Sequence, residues 1–210
     1  QQPIVAPEDR VAPANSATAA LGPSLLPIPQ PSMSAVEPTV QEQIEAAWSE
    51  LQAVSQKPSV NHGELAEAFG QMGKIYHAYD FSDAATACYQ NARALAPREF
   101  GWPYYLGRLY QEKGEFKKAI TYFNMARELR PNQIPLLVNL AEACLADGQS
   151  EPAKALFERA LVLDDSLAPA MAGLGKIALS NGDFTAAISS LEAALKLQPQ
   201  ATSLHYPLAM

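Results

Sequence analysis

Residues Tyr104 to Pro131 read YYLGRLYQEKGEFKKAITYFNMARELRP and have the pattern of two helices joined by a turn. The first half of this stretch has apolar residues at helical spacing, and the turn EKGE separates it from a second helical half that ends at a proline. Gly107 interrupts the first half, where a glycine costs a helix about 0.5–1 kcal/mol relative to alanine. Gly107 therefore requires either a compensating contact or a functional role.

A period of 34 residues in the surrounding sequence accounts for Gly107. Four columns keep this step, and they are Gly73, Gly107, Ala141, Gly175; Ala85, Ala119, Ala153, Ala187; Tyr89, Phe123, Phe157, Leu191; and Ala92, Ala126, Ala160, Ala194. A period of about 20–50 residues indicates stacked supersecondary units, here helix–turn–helix hairpins. We predict that Gly107 and Ala119 are small because the two helices of a hairpin cross closely there. Phe123 is predicted to fill space against the next hairpin.

On these columns the sequence resembles the tetratricopeptide repeat family. The first unit matches the family pattern at Phe69, Met72, Gly73, Tyr76, Ala85, Tyr89, Ala92 and Pro97. The resemblance implies an all-α, right-handed superhelical solenoid of 34-residue helix–turn–helix repeats. The repeat domain spans 61–201 and contains the units 66–99, 100–133, 134–167 and 168–201, and a fifth, truncated unit begins at 202–210.

The N-terminal region has a different composition. Residues 1–38 hold eight of the seventeen prolines and are predicted to form an extended arm, partly polyproline II. The arm is either a flexible tether or a segment that docks in a groove. Apolar residues at helical spacing then predict a helix over 39–56, within a capping helix and linker that span 39–60. This helix caps the array or, alternatively, binds a partner.

Composition and motifs exclude several classes of function. The net charge of −7 argues against a nucleic-acid binder, and no apolar run is long enough to span a bilayer. No catalytic motif is present, and His62, His77 and His205 are scattered. Cys88 and Cys144 lie two units apart and are predicted to be buried, unpaired thiols. We therefore predict no enzyme activity, no catalytic residue, no metal and no cofactor.

The resemblance implies that the first helices of successive units line a concave groove that binds protein partners. The candidate partner-binding residues are Lys74, His77, Tyr104, Arg108, Gln111, Asn139, Glu142 and Lys176. Lys74, Arg108 and Lys176 stand in one column and favour a partner segment with an acidic group and apolar side chains. The alternative is an ordinary solvated helix face. Trp102 and Tyr105 either join Tyr104 and Arg108 in a binding hot spot or pack between units.

Three hypotheses for function follow. The first is a scaffold or assembly subunit of an extracytoplasmic bacterial complex, because the chain begins at Gln1 without an initiator methionine and has a stalk-like arm. This implies a periplasmic or other extracytoplasmic location, with a cytoplasmic location as the alternative. The second is a peptide receptor whose groove holds a partner segment or its own arm through Pro27 to Pro31. The third is a non-catalytic domain of a longer enzyme.

The C-terminal sequence LHYPLAM is apolar and resembles no polar cap. Repeat arrays need a polar terminal unit, because each unit buries its apolar face on the next. The sequence therefore predicts that the natural protein continues beyond Met210 or that this end packs on another molecule.

Overall fold

The computed structural model describes residues 25–34 and 36–199, and within these ranges the chain forms nine helices and no strand. The helices are α1 (Pro38–Ser55), α2 (His62–Ala78), α3 (Ser82–Leu95), α4 (Gly101–Glu112), α5 (Phe116–Leu129), α6 (Ile134–Ala146), α7 (Ser150–Leu163), α8 (Ala168–Ser180) and α9 (Phe184–Leu197). Each helix packs on its neighbours in the chain, and the predicted all-α solenoid is confirmed. The predictions for residues 1–24 and for the truncated unit at 202–210 lie outside the described residues.

Helices α2 to α9 pair as four hairpins, and each hairpin turns at the same place in the repeat. The turn residue has a positive φ in every unit: 61° at Asp80, 72° at Gly114, 80° at Gly148 and 76° at Gly182. Glycine reaches this left-handed conformation without a steric penalty, and aspartate tolerates it better than most residues. A turn residue with a positive φ therefore recurs at the same position of every unit, where it ends the first helix of the hairpin.

Gly107 makes room for an aromatic ring. A Cβ atom at Gly107 would overlap the Phe123 ring, which is fully buried. The close approach predicted for Gly107 is thus present, and the glycine is compensated by packing. Phe123 fills space over Gly107 inside its own hairpin, so this contact joins α4 to α5. In the same column Phe157 of α7 lies over Gly173 of α8, which belongs to the next hairpin.

The helix predicted over 39–56 lies at Pro38–Ser55 and packs on α2. Its apolar residues Val40, Ile44 and Leu51 are buried. The Trp48 indole Nε1 donates a hydrogen bond of 2.8 Å to the hydroxyl of Tyr76, which is 0% exposed. Helix α1 therefore covers the first unit with an apolar face and satisfies a buried phenol.

The buried Tyr76 phenol predicts a loss of stability at alkaline pH. Burial raises its pKa to about 12, against the opposing effect of the Trp48 hydrogen bond. The folded pKa exceeds the ordinary value near 10, so the stabilisation is fully present below about pH 10 and is lost as pH rises towards about 12. We expect the free energy of unfolding, measured by urea titration, to fall across this window. In Tyr76→Phe the slope should be smaller by about 1.4 kcal/mol per pH unit. Equal slopes in the two proteins would contradict the assignment.

The described part of the arm docks on α3. The backbone amide of Leu26 donates to Asn91 Oδ1 at 2.7 Å, and Asn91 Nδ2 donates to the Leu26 carbonyl at 2.9 Å. Asn91 lies two positions after the groove-lining Tyr89, and therefore on the opposite side of α3. The prediction that Pro27 to Pro31 occupies the concave groove is wrong, because these residues follow the outer side of a second helix.

Two further expectations concern the cysteines and the membrane. Cys88 and Cys144 are both buried, unpaired thiols, and burial raises the pKa of each. A buried thiol with a raised pKa is a poor nucleophile, because the reactive species is the thiolate. In the described part of the chain, no helix combines the length and apolarity that crossing a membrane would require.

Candidate protein-binding groove

The predicted groove residues lie on the first helices of the hairpins, α2, α4, α6 and α8. Six of them are half-buried, namely Lys74, His77, Tyr104, Arg108, Gln111 and Asn139. Glu142 and Lys176 are exposed. Hydrogen bonds between units join candidate residues of α2, α4 and α6, and Lys176 lies on α8.

Glu112, in the last turn of α4, is a central groove residue that the sequence analysis missed. His77 Nε2 donates to one carboxylate oxygen at 2.7 Å, and Arg108 Nη2 donates to the other at 3.0 Å. Desolvation alone would raise the pKa of Glu112, but the hydrogen bonds and charges of His77 and Arg108 outweigh it and lower the pKa. Glu112 is therefore ionised at neutral pH and fixes two candidate binding residues.

An open cleft of about 360 Å³ lies beside this carboxylate. It is lined by Lys74, His77, Ala78, Tyr89, Tyr105 and Glu112. The Lys74 ammonium lies 5.4 Å from the centre of the Tyr105 ring, and that ring stacks on Tyr89 with centroids 5.4 Å apart. The Tyr89 hydroxyl lies 3.4 Å from His77 Nδ1. The cleft thus combines an aromatic wall, a cation and a hydrogen-bonded imidazole.

Polar contacts continue the groove from α4 to α6. Asn139 Nδ2 donates to the Tyr104 hydroxyl at 3.0 Å, and Gln111 Nε2 lies 3.5 Å from both the Asn139 carbonyl and Glu142 Oε2. Tyr104 and Asn139 are one unit apart, so the two hairpins are joined across the groove surface. These contacts hold the side chains in place before any partner binds.

Trp102 packs between units. It is 3% exposed, and a Cβ atom at Gly70 of α2 would overlap its indole. Of the two alternatives for Trp102, packing between units is the one the structure shows. Tyr105 remains in the wall of the cleft, with the Lys74 ammonium over its ring.

The charge of the groove is more balanced than the cation column predicted. Arg108 is paired with Glu112, and Lys74 Nζ lies 3.9 Å from Glu67. No ion pair joins Lys176 to any residue that the structure describes. Further along, half-buried Leu145 and Leu179 replace the His77 and Gln111 of the earlier units. In this column the side chains therefore change from polar at α2 and α4 to apolar at α6 and α8.

Metal-ligating side chains are dispersed in the described ranges. No three His, Cys, Asp or Glu residues there come together in a group that could hold a metal ion.

The fold and groove define a class of protein, an α-solenoid of stacked helix hairpins whose first helices present a side-chain ladder. Two models of the tetratricopeptide repeat match residues 99–166 and 138–202. The chain belongs to the tetratricopeptide repeat family, as its columns predicted. The chain is accordingly a protein-interaction module.

Solved structures of low sequence identity share the fold. A crystal structure of MamA aligns with a TM-score of 0.67 and 17% identity, covering 78% of this chain and 91% of that chain. The structure described as "YrrB: a TPR protein with an unusual peptide-binding site" aligns with a TM-score of 0.70 and 19% identity, covering 82% of this chain and 86% of that chain. A comparison with curated protein sequences gives no significant match.

Proposed function

We propose that the chain binds an extended segment of a partner protein in the groove formed by α2, α4, α6 and α8. The observation that carries this proposal is the open cleft at Lys74, Tyr105 and Glu112, whose side chains are held by contacts among themselves. Side chains that are ordered before binding lose little entropy when a ligand arrives. The similar structure of YrrB is described as having a peptide-binding site, which supports this function for the fold.

The cleft fits a defined kind of segment. Lys74 is the cation with the weakest ion pair in the cleft, so it offers its ammonium to a carboxylate or a backbone carbonyl of the partner. An apolar or aromatic side chain of the partner would pack against the edge of the Tyr105 ring, because Tyr89 and the Lys74 ammonium occupy its faces. Leu145 and Leu179 would bury a second apolar side chain further along the segment. Because Glu112 neutralises Arg108, we propose a partner with one acidic group rather than an acidic run.

The test is a charge reversal in the groove with a matched reversal on the outer surface. Lys74→Glu/Arg108→Glu/Lys176→Glu changes the groove. Lys117→Glu/Lys154→Glu/Lys196→Glu makes the same change in net charge on exposed residues of the second helices. Each protein is used to capture partners from its source, and bound proteins are quantified by mass spectrometry. We expect a stoichiometric partner of the wild type to be lost only from the groove variant.

Two controls keep this result interpretable. Unfolding curves of both variants should match the wild type, since exposed and half-exposed ion pairs contribute only about 0–1 kcal/mol each. A photo-crosslinking residue at Tyr105 should attach to the same partner, whereas one at Met125 on α5 should not. Equal retention of the partner by both variants would contradict a groove-binding function.

A scaffold in an extracytoplasmic complex is the second candidate, and the exposed apolar surface of α9 favours it. Phe184 is 65% exposed and Ile188 is 49% exposed, whereas the equivalent Phe116 and Ile120 of α5 are half-buried. Exposed apolar side chains that lie together mark a surface for association. Phe184→Ser/Ile188→Ser should then release a partner that the groove variant retains. Retention by this variant would argue against the scaffold.

A further inference from the structure

The arm docks on α3 with the geometry of a bound ligand. Every third residue of the arm faces the protein: Leu25 and Ile28 are each 8% exposed, and Pro31 is half-buried. Between them, Leu26 is 43% exposed, and Pro27 and Pro29 are also exposed. A polyproline II helix has about three residues per turn, so one of its three faces is buried along the whole segment.

A single buried amide fixes the register of this segment. Asn91 is 1% exposed, and its side chain pairs with both backbone groups of Leu26. The pairing uses the carbonyl and amide of the backbone and is independent of the Leu26 side chain, which points to solvent. The site therefore binds the backbone of an extended segment at one position and buries aliphatic side chains on either side of that position.

The segment runs antiparallel to α3. Leu26 lies at Asn91, and Pro29 to Pro31 line an open cleft of about 360 Å³ with Ala84 and the preceding turn. Ala84 and Asn91 are separated by about 10.5 Å along the helix, at 1.5 Å per residue. Three to four polyproline II residues, at about 3.1 Å each, cover the same distance. The two contacts therefore belong to one continuous docked segment.

The face of α3 that receives the arm is unlike its counterparts. We call it the α3 outer face, and its residues are Ala84, Ala87 and Asn91, all of which are buried. The equivalent residues of α5 are Lys118, Thr121 and Met125, which are exposed. Small side chains at these positions of α3 leave a channel for a backbone, and the single polar member is the one that pairs with it.

We propose that the α3 outer face is a second protein-binding site, which takes an extended segment with aliphatic residues three positions apart and a nearby proline. The arm is its resting occupant, and a partner segment of the same chemistry displaces it. The arm contributes a backbone pairing at Leu26, the buried aliphatic side chains of Leu25 and Ile28, and residues 29–31 at the cleft, so a segment of another chain can reproduce these contacts. Polyproline II segments are already extended before binding and lose little entropy on docking.

The arm is attached close to its site, which makes it a strong competitor. Gln41 Nε2 of α1 donates to the carbonyls of Met33 at 3.0 Å and Val36 at 2.7 Å, and so holds the connection between arm and helix. A short connection gives the arm an effective concentration of about millimolar at the site. The wild type should therefore bind a partner segment only when that segment, at its concentration, binds the site more strongly than the attached arm does.

The test uses the full chain and a fluorescent peptide with the sequence of residues 23–32, PSLLPIPQPS. In Leu25→Ser/Ile28→Ser the arm is weakened and the α3 outer face is unchanged. Fluorescence anisotropy should show at least about tenfold tighter peptide binding to this variant than to the wild type. Adding Asn91→Ala should weaken that binding by about tenfold, whereas adding Met125→Ala at the equivalent position of α5 should leave it unchanged.

A second variant tests the proposal if Leu25→Ser/Ile28→Ser does not fold. A protease site placed at Ser32 to Ser34, where both serines are exposed, allows the arm to be cut after the wild-type surface has folded. The cut arm should then exchange with the labelled peptide. Absence of peptide binding to both the cut chain and a folded arm variant would overturn the proposal. Formation of an arm-exchanged dimer in place of peptide binding would also overturn it, by assigning the site to a second copy.

Discussion

Replacing Phe123 by alanine is expected to lower the free energy of unfolding by about 3–5 kcal/mol. The Phe123 ring is 0% exposed, lies over Gly107 and has its centroid 6.0 Å from that of Tyr104. Truncation removes a large apolar area from the interior and leaves a cavity that the backbones of α4 and α5 can close only in part. Urea unfolding followed by circular dichroism measures the loss.

Phe184→Ala is the matched control, since it makes the same change at a ring that is 65% exposed. Its effect should stay within about 0.5 kcal/mol, as for other surface substitutions. Comparing the two variants separates the loss of stability that comes from burial of the ring from the loss that any exchange of phenylalanine for alanine in a second helix would cause. A loss below about 1 kcal/mol in Phe123→Ala would show that the ring is not essential to the hairpin.

Gly107→Ala is expected to destabilise the protein by about 1–3 kcal/mol, although alanine is the better helix former. The added Cβ overlaps the Phe123 ring, which has no free space to move into. Displacing a fully buried ring outweighs the gain of about 0.5–1 kcal/mol that alanine brings to a helix interior. The change is measured by the same urea titration.

The sign of the Gly107→Ala effect should reverse when Phe123 is absent. In the Phe123→Ala background the ring that the new Cβ meets is gone, so the helix propensity of alanine should stabilise the chain by about 0.5–1 kcal/mol. Such a reversal would show that the Phe123 ring is the only contact that requires a glycine at position 107. A destabilisation of the same size in both backgrounds would instead mean that Gly107 is required for another contact.

The repeat part of the fold could be predicted from the sequence because every unit has small and large residues at the same positions. Gly107, Ala119 and Phe123 recur at one step, and each column reports a packing relation that must be satisfied in every hairpin. The direction of Phe123 could not be read in this way. A repeat shows which positions are large and small, whereas the side on which a ring lies depends on how the two helices are rotated.

The sequence could name candidate groove positions, but it could not give the contacts between them. Tyr104 and Asn139 are two of these candidates, and they form a hydrogen bond between units. Glu112 was missed because its partner His77 is on the preceding first helix, and that pairing depends on the angle between units. Its spacing of four residues from Arg108 was the available signal.

The docking of the arm carried a weaker signal in the sequence. Leu26 and Asn91 are far apart in the chain, and the contact joins a backbone to a side chain, so no periodic pattern marks it. The signal that could have found it is the pair of small residues Ala84 and Ala87 beside Asn91. The following unit has larger or polar side chains at those positions.

The internal pairing of Glu112 with His77 and Arg108 has a kinetic consequence. A groove that neutralises its own charges produces little long-range field, and the chain as a whole has a net charge of −7. An acidic partner therefore receives no attractive steering towards the cleft, and its association rate should not exceed the value of about 10⁵–10⁶ M⁻¹ s⁻¹ for unsteered encounters. Differences among partners should then appear mainly in how long each complex lasts, and the association rate of an acidic partner should rise with ionic strength, because salt screens its repulsion by the negative chain.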